Sequence, residues 1–267
     1  MFKKALGRLN LSMTIIKGVR NWPHVFLNYF RPSKGEYILF KFRDGQRVKV
    51  RKPKVERDTS GIATIFEIFL METYNPRGMP LKESDIVIDI GANIGIFSLF
   101  SGLRVRKGKV YAYEPFKDHY NRLQDNLRIN NLQNVNAFNL AISDKKGKKD
   151  LFLNDHSSGM HSTVFQRDSK SKIFINCITL EDVFKDNNLT HCDFLKMDCE
   201  GAEYDIIFNT KKSIFDKIKR ISLEFDNIDK ERNCFQIKKV LEKNGFEVLI
   251  RGAYHHQGIL YARKLNN

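Results

Sequence analysis

Three carboxylates fall within six residues in Lys196-Met197-Asp198-Cys199-Glu200-Gly201-Ala202-Glu203, directly after an apolar run. A fourth, Glu224, ends a second apolar run, Ile221-Ser222-Leu223-Glu224-Phe225. Acids at the carboxyl ends of buried strands sit where open α/β folds bind ligands, and there they can bind or deprotonate a substrate hydroxyl. Asp198, Glu200 and Glu224 are the candidates for that work. Glu203 also has a plainer use, because an acid in the first turn of a helix is favoured by the helix dipole. His161, with His156, lies in the polar stretch Asn154–Lys172 and is the remaining candidate base. A metal held by these oxygens is a rival use of the acids. No histidine is interleaved with them at a ligand spacing, so no metal is assigned.

A second constellation is Val87-Ile88-Asp89-Ile90-Gly91-Ala92-Asn93-Ile94-Gly95, in which a buried strand runs into a small-residue turn and a helix begins. Gly91 permits positive φ and close backbone approach, and Asn93 tolerates left-handed geometry better than other non-glycine residues. Gly95 lets the start of the helix pack close to the sheet. Asp89 can hold the turn's backbone or accept from an ammonium group. Glu114 ends the next strand in Ala112-Tyr113-Glu114-Pro115, where a carboxylate can accept hydrogen bonds from both ribose hydroxyls of an adenosine. After the third strand, Ser143 and Asp144 can bond an adenine amine or cap a turn. A dinucleotide would use the same outline but needs G-x-G-x-x-G, whose second glycine admits the pyrophosphate. Here the turn reads G-x-N-x-G. S-adenosylmethionine (SAM) has no pyrophosphate, and it is the expected cofactor, held by Asp89, Gly91, Asn93, Gly95, Glu114, Pro115, Ser143 and Asp198.

The elements that position these residues follow from periodicity. From residue 85 onward, apolar runs at Ile86–Ile90, Val110–Tyr113, Asn136–Ala141, Phe194–Met197 and Ile221–Phe225 alternate with helical stretches. This predicts a mostly parallel sheet covered on both faces. Phe246–Ile250 and Ile259–Arg263 are expected to close the chain as an antiparallel hairpin at an edge. Asn154–Lys172 is expected to be an irregular loop above the sheet. Before the sheet, residues 1–30 are expected to be mostly helical with a break at Trp22-Pro23. Asp44-Gly45 between two strand-like runs signals a hairpin. The run Ile62 to Leu70 has helical spacing. The expected division is a basic extension over residues 1–80 and a Rossmann-like domain over 81–267.

The chain has 267 residues and a net charge of +15. Residues 1–57 hold fifteen lysines and arginines against three acids, so the positive charge is concentrated there. That points to an anionic partner for the N-terminal part: lipid headgroups, an acidic glycan carrier or nucleic acid. No apolar stretch is long enough to span a bilayer, and the first residues make a poor signal peptide. The expected location is cytoplasmic, with peripheral membrane contact through the basic segment. The four cysteines form no C-x-x-C pair and are expected to be structural thiols.

In these motifs the sequence resembles the FkbM family of SAM-dependent methyltransferases. The shared elements are Asp89-Ile90-Gly91-Ala92-Asn93-Ile94-Gly95, Tyr113-Glu114-Pro115, Asn139-Leu140-Ala141-Ile142-Ser143-Asp144, Asp198-Cys199-Glu200-Gly201-Ala202-Glu203 and Ser222-Leu223-Glu224. The resemblance implies a class I methyltransferase fold and O-methylation, with hydroxyls of sugars and secondary metabolites as the acceptors usual in the family. The expected function is therefore O-methylation of a sugar, glycan or glycolipid hydroxyl. The alternatives are a nucleic-acid methyltransferase that uses the basic arm, or a module that keeps the fold without the chemistry. The fourth strand lacks the Asn/Asp-Pro-Pro-aromatic element of amino-methylating enzymes, and the intact Asp89, Glu114 and Asp198 weigh against a silent module.

Overall fold

The computed structural model describes residues 15–30, 36–51, 60–76, 78–153 and 171–265. Its centre is a seven-stranded sheet in the order β11-β12-β10-β9-β3-β4-β5. The strands are β3 (Ile86–Ile90), β4 (Lys109–Tyr113), β5 (Val135–Phe138), β9 (Phe194–Met197), β10 (Arg220–Asp226), β11 (Phe246–Arg251) and β12 (Gln257–Lys264). The chain starts the sheet at β3, moves outward through β4 and β5, then returns to add β9 and β10 on the other side of β3. All of these pairs are parallel. The order reverses between β3 and β9, so the loops after these two strands diverge and leave a crevice at the carboxyl edge. This is the mostly parallel α/β architecture that the resemblance implies.

The sheet is parallel because helices cross between its strands: α3 (Ile96–Arg104), α4 (Lys117–Ile129), α5 (Leu180–Asp186), α6 (Glu203–Asn209), α7 (Lys212–Phe215) and α8 (Cys234–Lys243). β3 and β9 are buried along nearly their whole length and read as apolar runs broken by one charge each, Asp89 and Lys196, as strands covered on both faces do. The closing hairpin is antiparallel and lies at an edge, as expected, with β11 outermost. β12 inserts between β10 and β11, pairing antiparallel with both. The burial explains the order. Leu260, Tyr261 and Ala262 are all buried, whereas β11 alternates and turns Glu247, Leu249 and Arg251 to solvent, as the edge strand of this sheet.

Two expectations need correction. The third strand ends at Phe138 rather than Ala141, because the Asn139 amide donates to the carbonyls of Glu114 (2.9 Å) and Pro115 (2.8 Å) and turns the chain out of the ladder. The chain then enters a second sheet, ordered β6-β8-β7, from β6 (Ala141–Ser143), β7 (Gly147–Leu153) and β8 (Ser171–Thr179). The expected loop is thus flanked by two strands, with Leu151, Ile175 and Cys177 forming a small apolar core. Residues 154–170, including His156 and His161, lie outside the described residues.

Ahead of the sheet come α1 (Trp22–Phe30), the hairpin β1 (Tyr37–Lys41) and β2 (Arg47–Arg51), and α2 (Ser60–Phe69). They share one apolar core with α3, α4 and the sheet. Rings make the link: Phe42 stacks on Phe69 at 5.0 Å, Phe69 meets Phe100 edge-on at 5.3 Å, and Tyr74 meets Phe97 edge-on at 5.8 Å. Such pairs contribute about 0.5–1.5 kcal/mol each beyond their buried area. The segment after α2 is fixed further by polar contacts. Tyr261 Oη donates to the Thr73 carbonyl at 2.6 Å, and the Asn75 side chain accepts from the Leu81 amide at 2.8 Å. Cys177, Cys192 and Cys234 are buried, and all four cysteines are free thiols.

Candidate active site

The turn after β3 has the backbone its residue types call for. Gly91, Asn93 and Gly95 lie at φ of 71°, 51° and 84°. The Gly91 and Ala92 amides both donate to the Tyr113 carbonyl, at 3.1 and 3.0 Å, stitching the turn to the end of β4. A Cβ on Gly91 would stand 1.8 Å from the Asp198 carbonyl oxygen, so the two loops meet at a distance only glycine allows. Gly95 serves a different contact from the one expected. A Cβ there would meet Leu123 of α4 at 2.9 Å, so this glycine sets helix against helix rather than helix against sheet.

Glu114 is the organising carboxylate on the β4 side. Its Oε2 accepts from the Asn93 amide and its Oε1 from the Phe116 amide, both at 2.8 Å. Burial pushes its pKa up to about 7, against the pull of those two amides. Glu114 lines a cleft of about 650 Å³, open to solvent, together with Gly91, Asn93, Pro115, Ile142 and Asp198. The residues present fit an adenosyl group: a small-residue turn that lets the ligand approach the backbone, a buried acid at the ribose position, and an apolar wall from Ile142 and Leu151.

A second cleft, of about 750 Å³, adjoins the first and shares Gly91, Asn93, Asp198 and Glu200 with it. Its other polar lining comes from Thr64 and Glu67 of α2, Tyr74, Lys196 and Glu224. Tyr74 Oη lies 2.9 Å from Asp198 Oδ2 and 2.6 Å from Glu224 Oε2. Lys196 Nζ is buried 3.1 Å from Asp89 Oδ1, 3.8 Å from Asp198 Oδ2 and 2.9 Å from the Gly91 carbonyl, to which it donates. Burial alone would depress the Lys196 pKa, but Asp89 and Asp198 outweigh it and hold the ammonium above its ordinary value. Glu224 is pushed up to about 8 by burial and then by the Asp198 charge. Burial also drives Glu200 up to about 9, with Asp198 the first of several acids adding to it. Glu200 and Gly201 hold left-handed backbone, φ 53° and 100°, in a turn clamped by Glu203. The Glu203 carboxylate accepts from the Cys199 amide at 2.5 Å and the Gly201 amide at 2.8 Å.

The geometry therefore sorts the expected residues. Gly91, Asn93, Glu114, Pro115, Asp198 and Glu200 converge on the first cleft, and Asp198, Glu200 and Glu224 on the second. Asp89 lines neither. It is fully buried, accepting from Ser98 Oγ at 2.6 Å and pairing with Lys196, so it acts on the site through that lysine. Ser143 also lies away from the first cleft. Its Oγ donates to Asp144 at 2.8 Å, and both residues line a separate small cleft with Leu180 and Ile206. The lining of the larger cleft, Leu140, Ala141 and Ile142, stops one residue short of Ser143, whose hydroxyl turns to Asp144. Sequence reasoning assigned no role to Tyr74, Glu67 or Lys196. For Lys196 a signal existed, a single charge inside the apolar strand Phe194-Leu195-Lys196-Met197. Among the described residues, no group of three or more His, Cys, Asp or Glu side chains is arranged to hold a metal ion. No helix among them is long and apolar enough to cross a membrane.

A model of the methyltransferase FkbM domain matches residues 89–248, more than half of the chain. The 31-O-demethyl-FK506 methyltransferase FkbM of Streptomyces tacrolimicus is 24% identical over 212 residues, covering 68% of this chain and 80% of that protein. AMB antimetabolite synthetase AmbE of Pseudomonas aeruginosa is 26% identical over 227 residues, 69% of this chain, which spans only 10% of AmbE. Among solved structures, methyltransferase FkbM of Methylobacillus flagellatus KT is similar at a TM-score of 0.49 and 16% identity, over 75% of this chain and 53% of that one. With the domain match running from the turn acid Asp89 through the acidic cluster to β11, the chain belongs to the FkbM methyltransferase family, and its methyl donor is SAM.

Proposed function

We propose that the protein methylates a hydroxyl oxygen of a sugar, glycan or glycolipid. The observation that carries this reading is the second cleft, where Glu67, Asp198, Glu200, Glu224 and the Tyr74 hydroxyl surround a space that shares Asp198 with the cofactor cleft. Carboxyl groups with pKa values near neutrality both accept from and donate to hydroxyls, which suits an uncharged polyol. The relative from Streptomyces tacrolimicus is itself named for a 31-O-demethyl acceptor, which supports oxygen as the target.

SAM, when bound, supplies an activated sulfonium methyl group. Gly91, Asn93 and Glu114 would hold it, leaving to this chain the alignment of the acceptor and the removal of its proton. Alignment alone can contribute about 7–11 kcal/mol, and a general base about 10²–10⁴-fold. Asp198 is assigned as that base because it faces both clefts and its Oδ2 lies 3.8 Å from the Lys196 ammonium.

Transfer of a deuterated methyl group from labelled SAM to a panel of sugars and glycolipids, read by mass spectrometry and NMR, tests the reading. A product methylated on oxygen supports it, and one methylated on nitrogen or carbon overturns it. The reading extends to the basic N-terminal part as the contact with an anionic carrier or membrane surface, in a cytoplasmic enzyme peripheral to the bilayer. Salt-sensitive co-sedimentation with anionic vesicles supports that extension, and equal binding to neutral vesicles refutes it.

A further inference from the structure

We infer that Tyr74, contributed from ahead of the matched domain, is a positioning residue for methyl transfer: its hydroxyl bridges Asp198 and Glu224 and fixes Asp198 as the proton acceptor. The inference rests on the assignment of Asp198 as the base. Tyr74 lies outside residues 89–248 and reaches the acids by tertiary packing, 124 residues from Asp198 and 150 from Glu224.

The proton count assigns the roles. Three oxygens stand in a row, Glu224 Oε2, Tyr74 Oη and Asp198 Oδ2, at 2.6 and 2.9 Å. Two hydrogen bonds at these lengths need two protons, and the tyrosine has one. The second must sit on a carboxyl group, since two bare carboxylates against one hydroxyl would leave a buried contact between lone pairs. Of the two carboxyl groups, Asp198 is the one within ion-pair distance of the Lys196 ammonium, which lies 3.8 Å from its Oδ2. The proton therefore belongs to Glu224, consistent with the upward push on that group from burial. Glu224 donates to Oη, and Tyr74 donates to Asp198. Among the described residues Asp198 Oδ1 has no hydrogen-bond donor, and it is the oxygen left to take the acceptor's proton. Tyr74 itself is held rigidly, between the Phe97 ring and the Tyr261–Thr73 hydrogen bond.

In the reaction the acceptor oxygen bonds to the transferred methyl carbon, and the carbon–sulfur bond breaks with its electron pair left on sulfur. The acceptor's O–H proton moves to Asp198 Oδ1 and leaves to solvent after product release. The groups facing Asp198 are Lys196 from its own strand, Cys199, Glu200 and Glu203 from the following turn and helix, Glu67 from α2, Tyr74, and Glu224 from β10. Glu224 faces Asp198, Tyr74, Lys196 and Glu203.

The experiment is the pH dependence of kcat/KM for the wild type, Tyr74→Phe, Glu224→Gln and Asp198→Asn, with SAM affinity measured in parallel. Phenylalanine keeps the ring contacts and removes the donor to Asp198. We expect kcat to fall about 10- to 100-fold with SAM affinity unchanged, and the acidic limb to move up by about one pH unit. Glu224→Gln carries a permanent donor toward Oη and should flatten the alkaline limb. An unchanged profile in both Tyr74→Phe and Glu224→Gln would reduce Tyr74 to packing and overturn the inference while leaving Asp198 in place. Full activity in Asp198→Asn would overturn the base assignment and this inference with it.

Discussion

Glu114→Gln isolates what one buried carboxylate contributes to cofactor binding. In the wild type its two oxygens accept from the Asn93 and Phe116 amides, each at 2.8 Å, clamping the turns after β3 and β4. A glutamine of the same shape must face one of those donors with its own NH₂. One buried amide is then left unpaired, which costs about 1–3 kcal/mol of stability. If the ribose hydroxyls also bond to this carboxylate, losing a charge-assisted bond costs a further ~1.5–3 kcal/mol of binding, or roughly 10- to 150-fold in SAM affinity. Titration calorimetry with a thermal melt separates the two losses. Protonation offers an internal check. Glu114 has its pKa raised to about 7, so its charge is lost as pH falls through that value. Wild-type SAM affinity should therefore weaken from pH 8 to pH 6, and the glutamine variant should show no such dependence. A variant that melts earlier yet binds SAM within threefold of wild type, with the same pH dependence, would refute the ribose role and leave Glu114 as a clamp.

Three further outcomes are expected. Gly91→Ala places a Cβ at φ 71° and 1.8 Å from the Asp198 carbonyl, so it should lower the melting temperature and weaken SAM binding more than tenfold, both measurable on one preparation. Lys196→Met leaves Asp89, which is fully buried, without its ion-pair partner; a loss of about 3–5 kcal/mol in denaturant unfolding is expected, and a loss below about 1 kcal/mol would refute a structural role for the pair. Glu114, Glu203, Glu224 and Glu200 have folded pKa values of about 7, 7, 8 and 9, all above the ordinary 4.5. Raised carboxyls contribute stability that is complete below 4.5 and is lost as pH rises through those values, so the melting temperature of the ligand-free protein should fall from pH 5 to pH 9.

The parts of this site that were legible in the sequence are those in which one residue type answers one local demand. Positive φ at Gly91 and Asn93, the acid that ends β4, and the acids after β9 all follow from where a strand must stop and turn. The parallel order followed from alternation of strands and helices. Contacts between distant segments set the rest. Tyr74 has no local pattern that marks it, because the acids it meets lie on β9 and β10, beyond the reach of any periodicity. The strands β7 and β8 flank a polar stretch and share a core of only a few side chains, so the loop's composition hid them, although Ile173, Ile175 and Cys177 alternate along β8 as an amphipathic strand should. Ser143 was not separable from its neighbours in the sequence motif: Leu140, Ala141 and Ile142 line the cleft, and the run stops there because the Ser143 hydroxyl turns to Asp144.

Charge is distributed in opposite senses over this protein, and that bears on the acceptor. The second cleft holds Glu67, Asp198, Glu200 and Glu224 against the one ammonium of Lys196, whereas residues 1–57 carry fifteen basic side chains against three acidic ones. Under the proposed function, a phosphate next to the reacting hydroxyl would face Asp198 and, as pH rises through about 8 and 9, the charges that develop on Glu224 and Glu200, while the same phosphate on a distant carrier would meet the basic segment. The Debye length near physiological salt, about 8 Å, separates the cases. Paired acceptors test this: one sugar phosphorylated beside the reacting hydroxyl, and one carrying its phosphate at the end of a long lipid or glycan. The remote phosphate should lower KM at low salt and lose that advantage as salt is added. The adjacent phosphate should raise KM, and added salt should relieve the penalty only in part, because buried charges are screened less than exposed ones. A preference for the adjacent phosphate would move the reactive proton acceptor away from Asp198.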